Sequence, residues 1–170
     1  NKSINFGLER IKLVLKKLNH PERKLNNVIN FLGSSGKFST LFSLKYFIEA
    51  NNQRASAYIS PSLKDIKERF FMGDRYLSHT DILRSIKQIE KLKVPLTIFE
   101  VLTVIYIMNA SNQKVDFHLV EAGALMKLDS TNVFDFPLAQ IVVNINKQHL
   151  NFLKKKTLDE VIYQKVGFLS

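Results

Sequence analysis

A short, mostly apolar run, Val28-Ile29-Asn30-Phe31-Leu32, passes directly into Gly33-Ser34-Ser35-Gly36 and then into a helical pattern carried by Leu41, Leu44 and Tyr46-Phe47-Ile48. Few folds accommodate that junction. The run has strand length and little polar alternation, so both of its faces must be covered. The glycines let the backbone turn tightly into the helix. Strand, glycine-punctuated turn and helix open a βαβ unit, which commits the chain to a parallel sheet with helices packed on it.

The remaining pattern agrees. Leu8, Ile11, Leu15 and Leu18 recur at three- and four-residue steps before Pro21, which predicts an opening helix. Residues 55–60 read as a second strand ending at Pro61, and 65–76 as mixed loop around a functional face. Helices are expected near 80–92 and 97–109, strands at 115–121 and 138–144, and a closing helix near 158–165. No repeat, low-complexity tract or linker interrupts the series. The expected fold class is α/β: one domain over residues 1–170, with a P-loop-type, mainly parallel sheet flanked by helices.

A formal net charge of +10 raises nucleic acid as a partner. The make-up of that charge argues the other way. Of the 25 basic residues 19 are Lys, they are scattered, and only Lys154-Lys155-Lys156 forms a run, short enough for a solvated corner. No apolar run approaches the roughly 18 residues of a membrane span, so no membrane role is expected. No basic-then-apolar leader opens the chain. The absence of cysteine removes disulfides and thiolate metal sites, and makes the reducing cytoplasm the default compartment. A monomer acting on small molecules is the expectation.

The sharpest chemical signal is Gly33-Ser34-Ser35-Gly36-Lys37-Phe38-Ser39-Thr40. Glycines allow successive N–H groups to face an anion, and the following helix adds its positive end. Lys37 is placed to reach terminal phosphate oxygens, and the hydroxyl of Ser39 or Thr40 to reach a metal ion. The spacing is shorter than GxxxxGK[ST], so a generic strand-to-helix turn is the alternative at this point. Three histidines carry no such signal. His118 lies inside an apolar strand and reads as structural, His20 as a loop residue and His79 as a helix N-terminal residue.

At this loop and at later segments, in order, the chain resembles folylpolyglutamate/dihydrofolate synthases of the Mur ligase superfamily. The family loop GTNGKGS appears as GSSGKFS, and Gly7-Leu8-Glu9-Arg10-Ile11 matches GLERI. Ser60-Pro61-Ser62-Leu63 with Glu68-Arg69 resembles SPHL…ERI, and Thr97-Ile98-Phe99-Glu100-Val101-Leu102-Thr103 resembles TFFEVLT. Val120-Glu121-Ala122-Gly123, running on to Lys127-Leu128-Asp129-Ser130-Thr131-Asn132, resembles EVGLGGRLDATN. Asn144 and His149 match TNIGLDH, and Gln164-Lys165-Val166-Gly167 resembles EKAGI.

The resemblance implies a Mur ligase central-domain-like fold and an ATP-dependent, ADP-forming ligase. ATP's terminal phosphoryl group passes to a folate carboxylate, and the amine of glutamate displaces phosphate from the acyl phosphate. It implies ATP at Gly33, Ser34, Ser35, Gly36, Lys37, Ser39 and Thr40, and Mg²⁺ at Ser39, Glu121 and His149. It implies catalytic roles for Lys37 and Lys165, the latter matching a lysine that is carbamylated in the family. The folate substrate loop would comprise Ser60, Pro61, Leu63, Glu68 and Arg69. Taken alone, Glu121 would read as a charged strand end, His149 as a surface histidine and Lys165 as an exposed helical lysine.

Several positions depart from the family pattern. Phe38 stands for the glycine after the loop lysine, and Ala124-Leu125-Met126-Lys127 for LGGR. Ser62, Asn146 and Gln148 replace a histidine, a glycine and an aspartate. Family members are also much longer, so the C-terminal glutamate-ligase domain is expected to be absent from these 170 residues and the ATP-binding domain to be partial. The alternatives are a non-catalytic remnant that at most binds nucleotide, and a basic nucleic-acid-binding protein whose binding would fall steeply with salt.

Overall fold

The computed structural model describes residues 7–167. The first six and last three residues of the expected single-domain span lie outside the described residues. A sheet of five strands forms the centre, in the order β3-β2-β4-β1-β5. The strands are β1 (Val28–Leu32), β2 (Ala55–Tyr58), β3 (Phe70–Met72), β4 (Phe117–Glu121) and β5 (Ala139–Val142). β1 pairs in parallel with both β4 and β5, and β2 in parallel with β4. Only β3, at the edge, runs antiparallel, against β2.

Among the described residues there are five α-helices: α1 (Glu9–Lys17), α2 (Lys37–Ala50), α3 (His79–Glu90), α4 (Ile98–Ala110) and α5 (Leu158–Val166). β1 is buried along its whole length because alternate residues feed two cores. Ile29 and Phe31 join Leu41 and Ile48 of α2 on one face. Val28 joins Ile11, Leu15, Ile82 and the apolar run of α4 on the other. α4 is buried nearly all round, so its ends need internal caps. Thr97 and Glu100 form a reciprocal capping box, and Glu100 also pairs with Arg10 of α1 at 3.1 Å.

The expected strands and helices occur with ends shifted by a few residues, but residues 65–76 are not all loop. They hold a short helical turn, Ile66–Arg69, and the edge strand β3. Three strand residues between Arg69 and Gly73 are too few to show a period-two pattern, and it is their pairing with β2 that makes them a strand.

His118 is structural, as its position in the sequence implied. Its Nδ1 lies 2.7 Å from the Ser56 hydroxyl, which lies 2.8 Å from the Tyr106 hydroxyl, and all three residues are buried. A neutral imidazole accepting at Nδ1 lets each hydroxyl donate once. Burial pulls the His118 pKa down to about 4, whereas the unfolded chain protonates near the ordinary value of about 6.5. Because the folded value is depressed, His118 contributes stability that is complete above about pH 6.5 and is lost as pH falls towards 4. Between those limits, unfolding free energy should fall by about 1.4 kcal/mol per pH unit more in the wild type than in His118→Gln. Urea melts of both proteins across that range check the difference, and parallel curves would refute it.

Candidate nucleotide and metal site

Parallel register brings the site together. Phe31 pairs with Glu121 and Leu32 with Val142, so the loop leaving β1 sits between the carboxyl ends of β4 and β5. Carboxyl ends of parallel strands are where open α/β sheets hold ligands.

The loop is fastened to the chain that leaves β5. Gly33 has φ 137°, and a Cβ there would meet the Asn144 carbonyl oxygen at 2.6 Å and Val143 Cγ2 at 2.7 Å. The Ser34 N–H donates to the Asn144 carbonyl at 2.8 Å, and the Ser35 N–H to Asn144 Oδ1 at 2.9 Å. The Ser34 hydroxyl accepts from the Asn146 N–H at 2.9 Å. Beyond this staple, Gly36 has φ 85° with open space where a side chain would go. Its carbonyl accepts from the Thr40 N–H at 3.0 Å and the Thr40 hydroxyl at 2.9 Å, which starts α2. A helix N-terminus leaves N–H groups unpaired and carries partial positive charge, so this end of α2 suits an anion.

Two lysines converge on one carbonyl. Lys37 Nζ donates to Gly33 O at 3.2 Å and lies 3.7 Å from Glu121 Oε1. Lys165 Nζ, from α5, donates to Gly33 O at 3.0 Å and to Ala124 O at 2.8 Å. Lys165 is 2% exposed, and burial together with the charge of Lys37 pulls its pKa down to about 8, so it stays protonated at neutral pH.

Glu121 is buried at the end of β4, and its Oε2 accepts from the Ser60 N–H at 3.0 Å. Burial raises its pKa, against the pull of that N–H and of Lys37. Asp129 is a second buried carboxylate that the sequence pattern left without a role. It accepts from the Thr131 N–H at 3.0 Å and the Thr131 hydroxyl at 2.6 Å, and burial raises its pKa. A Cβ on Gly123 would collide with Asp129 Oδ2 and with the Phe99 ring, so only glycine fits between them.

The structure sorts the expected metal ligands. Ser39 is exposed on the first turn of α2, and Glu121 is met by the Ser60 backbone N–H. His149 adopts φ 59° and stacks on Phe152 with centroids 6.1 Å apart. Partial burial and the charges of Lys165 and Lys37 lower its pKa, which favours the neutral imidazole. Among the described residues no three His, Asp or Glu side chains gather into a metal cage. An ion such as Mg²⁺, which takes one or two protein ligands and fills its shell from phosphate and water, would suit the carboxylate of Glu121.

The expected substrate loop is a self-supported turn. Glu68 Oε2 accepts from the Leu63 and Lys64 N–H groups at 2.8 and 3.2 Å, and those hydrogen bonds lower its pKa. Arg69 donates to the Ser62 and Ser60 hydroxyls, each at 3.3 Å. Glu68 and Arg69 thus face inward as supports, while Pro61 and Leu63 form the exposed tip.

Fold and site together define a P-loop-type α/β domain of the Mur ligase kind. No protein-family model matches the chain. It is 31% identical to the dihydrofolate synthase/folylpolyglutamate synthase of Haemophilus influenzae, over 98% of its own length and 38% of that protein's. It is 27% identical to the Bacillus subtilis enzyme of the same description, over 96% of this chain and 39% of the relative. E. coli FolC, solved in complex with DHPP and ADP, superposes with a TM-score of 0.90 at 27% identity, over 98% of this chain and 40% of that one. The Yersinia pestis bifunctional folylpolyglutamate synthase/dihydrofolate synthase, complexed with AMPPNP and Mn ion, superposes with a TM-score of 0.88. The chain belongs to the folylpolyglutamate/dihydrofolate synthase family, and it spans about two fifths of the length of these relatives.

Both close-packed glycines are testable. Gly123→Ala and Gly33→Ala should each lower the unfolding free energy by about 1–3 kcal/mol, the usual cost of forcing extra volume into a packed site. Chemical denaturation measures this; a loss of less than about 0.5 kcal/mol, the ordinary surface value, would contradict the packing described.

Proposed function

We propose that this chain forms the nucleotide-handling part of an ATP-dependent ligase that joins glutamate to a folate carboxylate, in folate polyglutamylation or dihydrofolate synthesis. The observation that carries this reading is Lys37 lying between the phosphate loop and Glu121, at the N-terminus of α2. A loop poised this way binds the phosphates of ATP. Lys37 would exchange its contacts with Gly33 O and Glu121 for phosphate oxygens, which would leave Glu121 to help hold a metal ion. Mg²⁺, held by Glu121, the hydroxyl of Ser39 and His149, would neutralise phosphate charge. The chain's own part is positioning. The staple from Asn144 and Asn146 fixes the loop, and the Ser60–Leu63 turn, resting on Glu121 through the Ser60 N–H, offers its exposed tip to a folate. Such chemistry needs alignment and charge neutralisation more than a protein nucleophile.

Occurrence as a cytoplasmic monomer working on small molecules belongs to the same reading. It is supported by the lack of cysteine and by the scattered placement of the lysines. Among the described residues no helix is long and apolar enough to cross a membrane. A second reading, nucleotide binding without turnover, is favoured by one observation: Leu125 and Met126, where the family has glycines, are buried at 4% and 1% exposure, so that segment is packed rather than open.

Titration calorimetry of MgATP into the chain and into Lys37→Ala tests the shared core of both readings. Saturable binding is expected, weakened by about tenfold or more in Lys37→Ala, the usual loss for a charge-assisted contact. Equal affinity in the two folded proteins would overturn it. Binding that is insensitive to Lys37 and falls steeply with salt on added nucleic acid would favour the basic-surface alternative.

A further inference from the structure

We propose that the cavity at the amino end of β1, beside the loop that leads into β5, binds a small organic cation: an ammonium or guanidinium compound that brings N–H donors. It lies at the opposite end of β1 from the phosphate loop and does not rest on the nucleotide reading. The cavity measures about 720 Å³ and opens between the short helical turn Pro21–Lys24 and the loop of residues 134–136. Glu22 forms part of its wall and is only 9% exposed. The two oxygens of that carboxylate are served unequally. Oε1 lies 2.7 Å from His20 Nδ1 and 3.9 Å from Arg23 Nε, whereas Oε2 is buried without a hydrogen-bond partner among the described residues. A buried carboxylate oxygen that lacks a donor is costly, and bulk water does not reach this one. A ligand that enters the cavity with an N–H supplies what is missing.

The rest of the wall suits the same class of ligand. Asp135 adds a second carboxylate at the exposed rim, and Phe134 and Phe136 add two rings. Phe136 is 96% exposed, which leaves its face open to a cation. In a chain of net charge +10, a wall with two acidic residues and one basic residue is a locally negative place. An anion would meet both carboxylates. A bare metal ion needs several ligands at once, and among the described residues no three His, Asp or Glu side chains gather. An ammonium or guanidinium needs one carboxylate for its hydrogen bonds and gains further from ring faces.

The test is an amide NMR titration of the chain with agmatine and with choline, using sodium chloride as the control at equal ionic strength. Agmatine carries charge and N–H donors, whereas choline carries the charge without them. Agmatine should give saturable shifts centred on Asn26, Asn27 and Asp135, and should bind about tenfold more tightly than choline. Glu22→Gln should weaken agmatine about tenfold, the usual loss for a charge-assisted contact. Asp135→Asn, a change at an exposed position, should weaken it about two- to threefold, as expected of a solvated ion pair. Shifts shared with sodium chloride, choline binding as tightly as agmatine, or equal affinity in wild type and variants would overturn the proposal and leave an ordered water as the partner of Oε2. If Glu22→Gln does not fold, Asp135→Asn and the two ligands still decide. No nucleotide is present in the titration, so its outcome is read apart from MgATP binding.

Discussion

The parallel register of β1 between β4 and β5 is the constraint on which the site depends. One residue pairing, Phe31 with Glu121, sets the buried carboxylate beside the loop, and the next, Leu32 with Val142, brings Asn144 within reach of Ser34 and Ser35. A slip of one residue would turn Ile29 and Phe31 away from α2 and move Glu121 off the loop together. The double burial of β1 resists such a slip, since both faces of the strand are tied to separate cores. Core packing and site geometry are therefore a single specification.

Placing charge at that edge is expensive. Lys37, Lys165, Glu121 and Asp129 are all largely or wholly buried, and burial shifts the last three away from their charged forms. A buried pair rarely repays its desolvation through Coulomb attraction alone. Here each charged group also has hydrogen bonds: Ser60 for Glu121, Thr131 for Asp129, and backbone carbonyls for both lysines. The Lys37–Glu121 separation of 3.7 Å is long for a charge-assisted hydrogen bond, so this contact is easily exchanged. The short contacts hold the frame, and the long one belongs to the group that must move.

What was legible in the sequence was local. β1 could be read to its ends, because a five-residue apolar run that stops at a glycine turn is too short for a buried helix and has the length of a buried strand. α4 was expected near 97–109, where it lies, and the structure adds the capping box of Thr97 and Glu100 at its start. What was illegible depends on partners far along the chain. β3 is a strand because β2 lies beside it. Lys45 looks like a surface lysine of α2, yet it is buried, paired with Glu49 at 2.6 Å and seated 4.1 Å from the Phe71 ring of β3. Only the meeting of the β2 and β4 ends shows that the Ser60 backbone N–H donates to Glu121. Lys165 reaches Gly33 across 132 residues, a distance no local pattern encodes.

The departures from the family motif gain a different meaning in three dimensions. Phe38 replaces a glycine beside the loop lysine, but its ring packs on Phe42 at 4.6 Å along the outside of α2, and Gly36 retains open space. Met126 packs with Leu32 and Ala122, directly behind the end of β1, and Leu125 packs with Leu153 and Val161 of the C-terminal segment. Side chains in place of glycines thus join the turn after β4 to α5 through an apolar contact. Lys165 adds a polar tie across the same junction by holding Ala124 O. Glycines would leave that turn free to adapt around a ligand; Leu125 and Met126 give up that freedom for a fixed seat under the phosphate loop. Among the departures, Asn146 holds the Ser34 hydroxyl of the loop and Met126 packs behind the strand that leads into it, beside the family-matching Asn144 and Lys165.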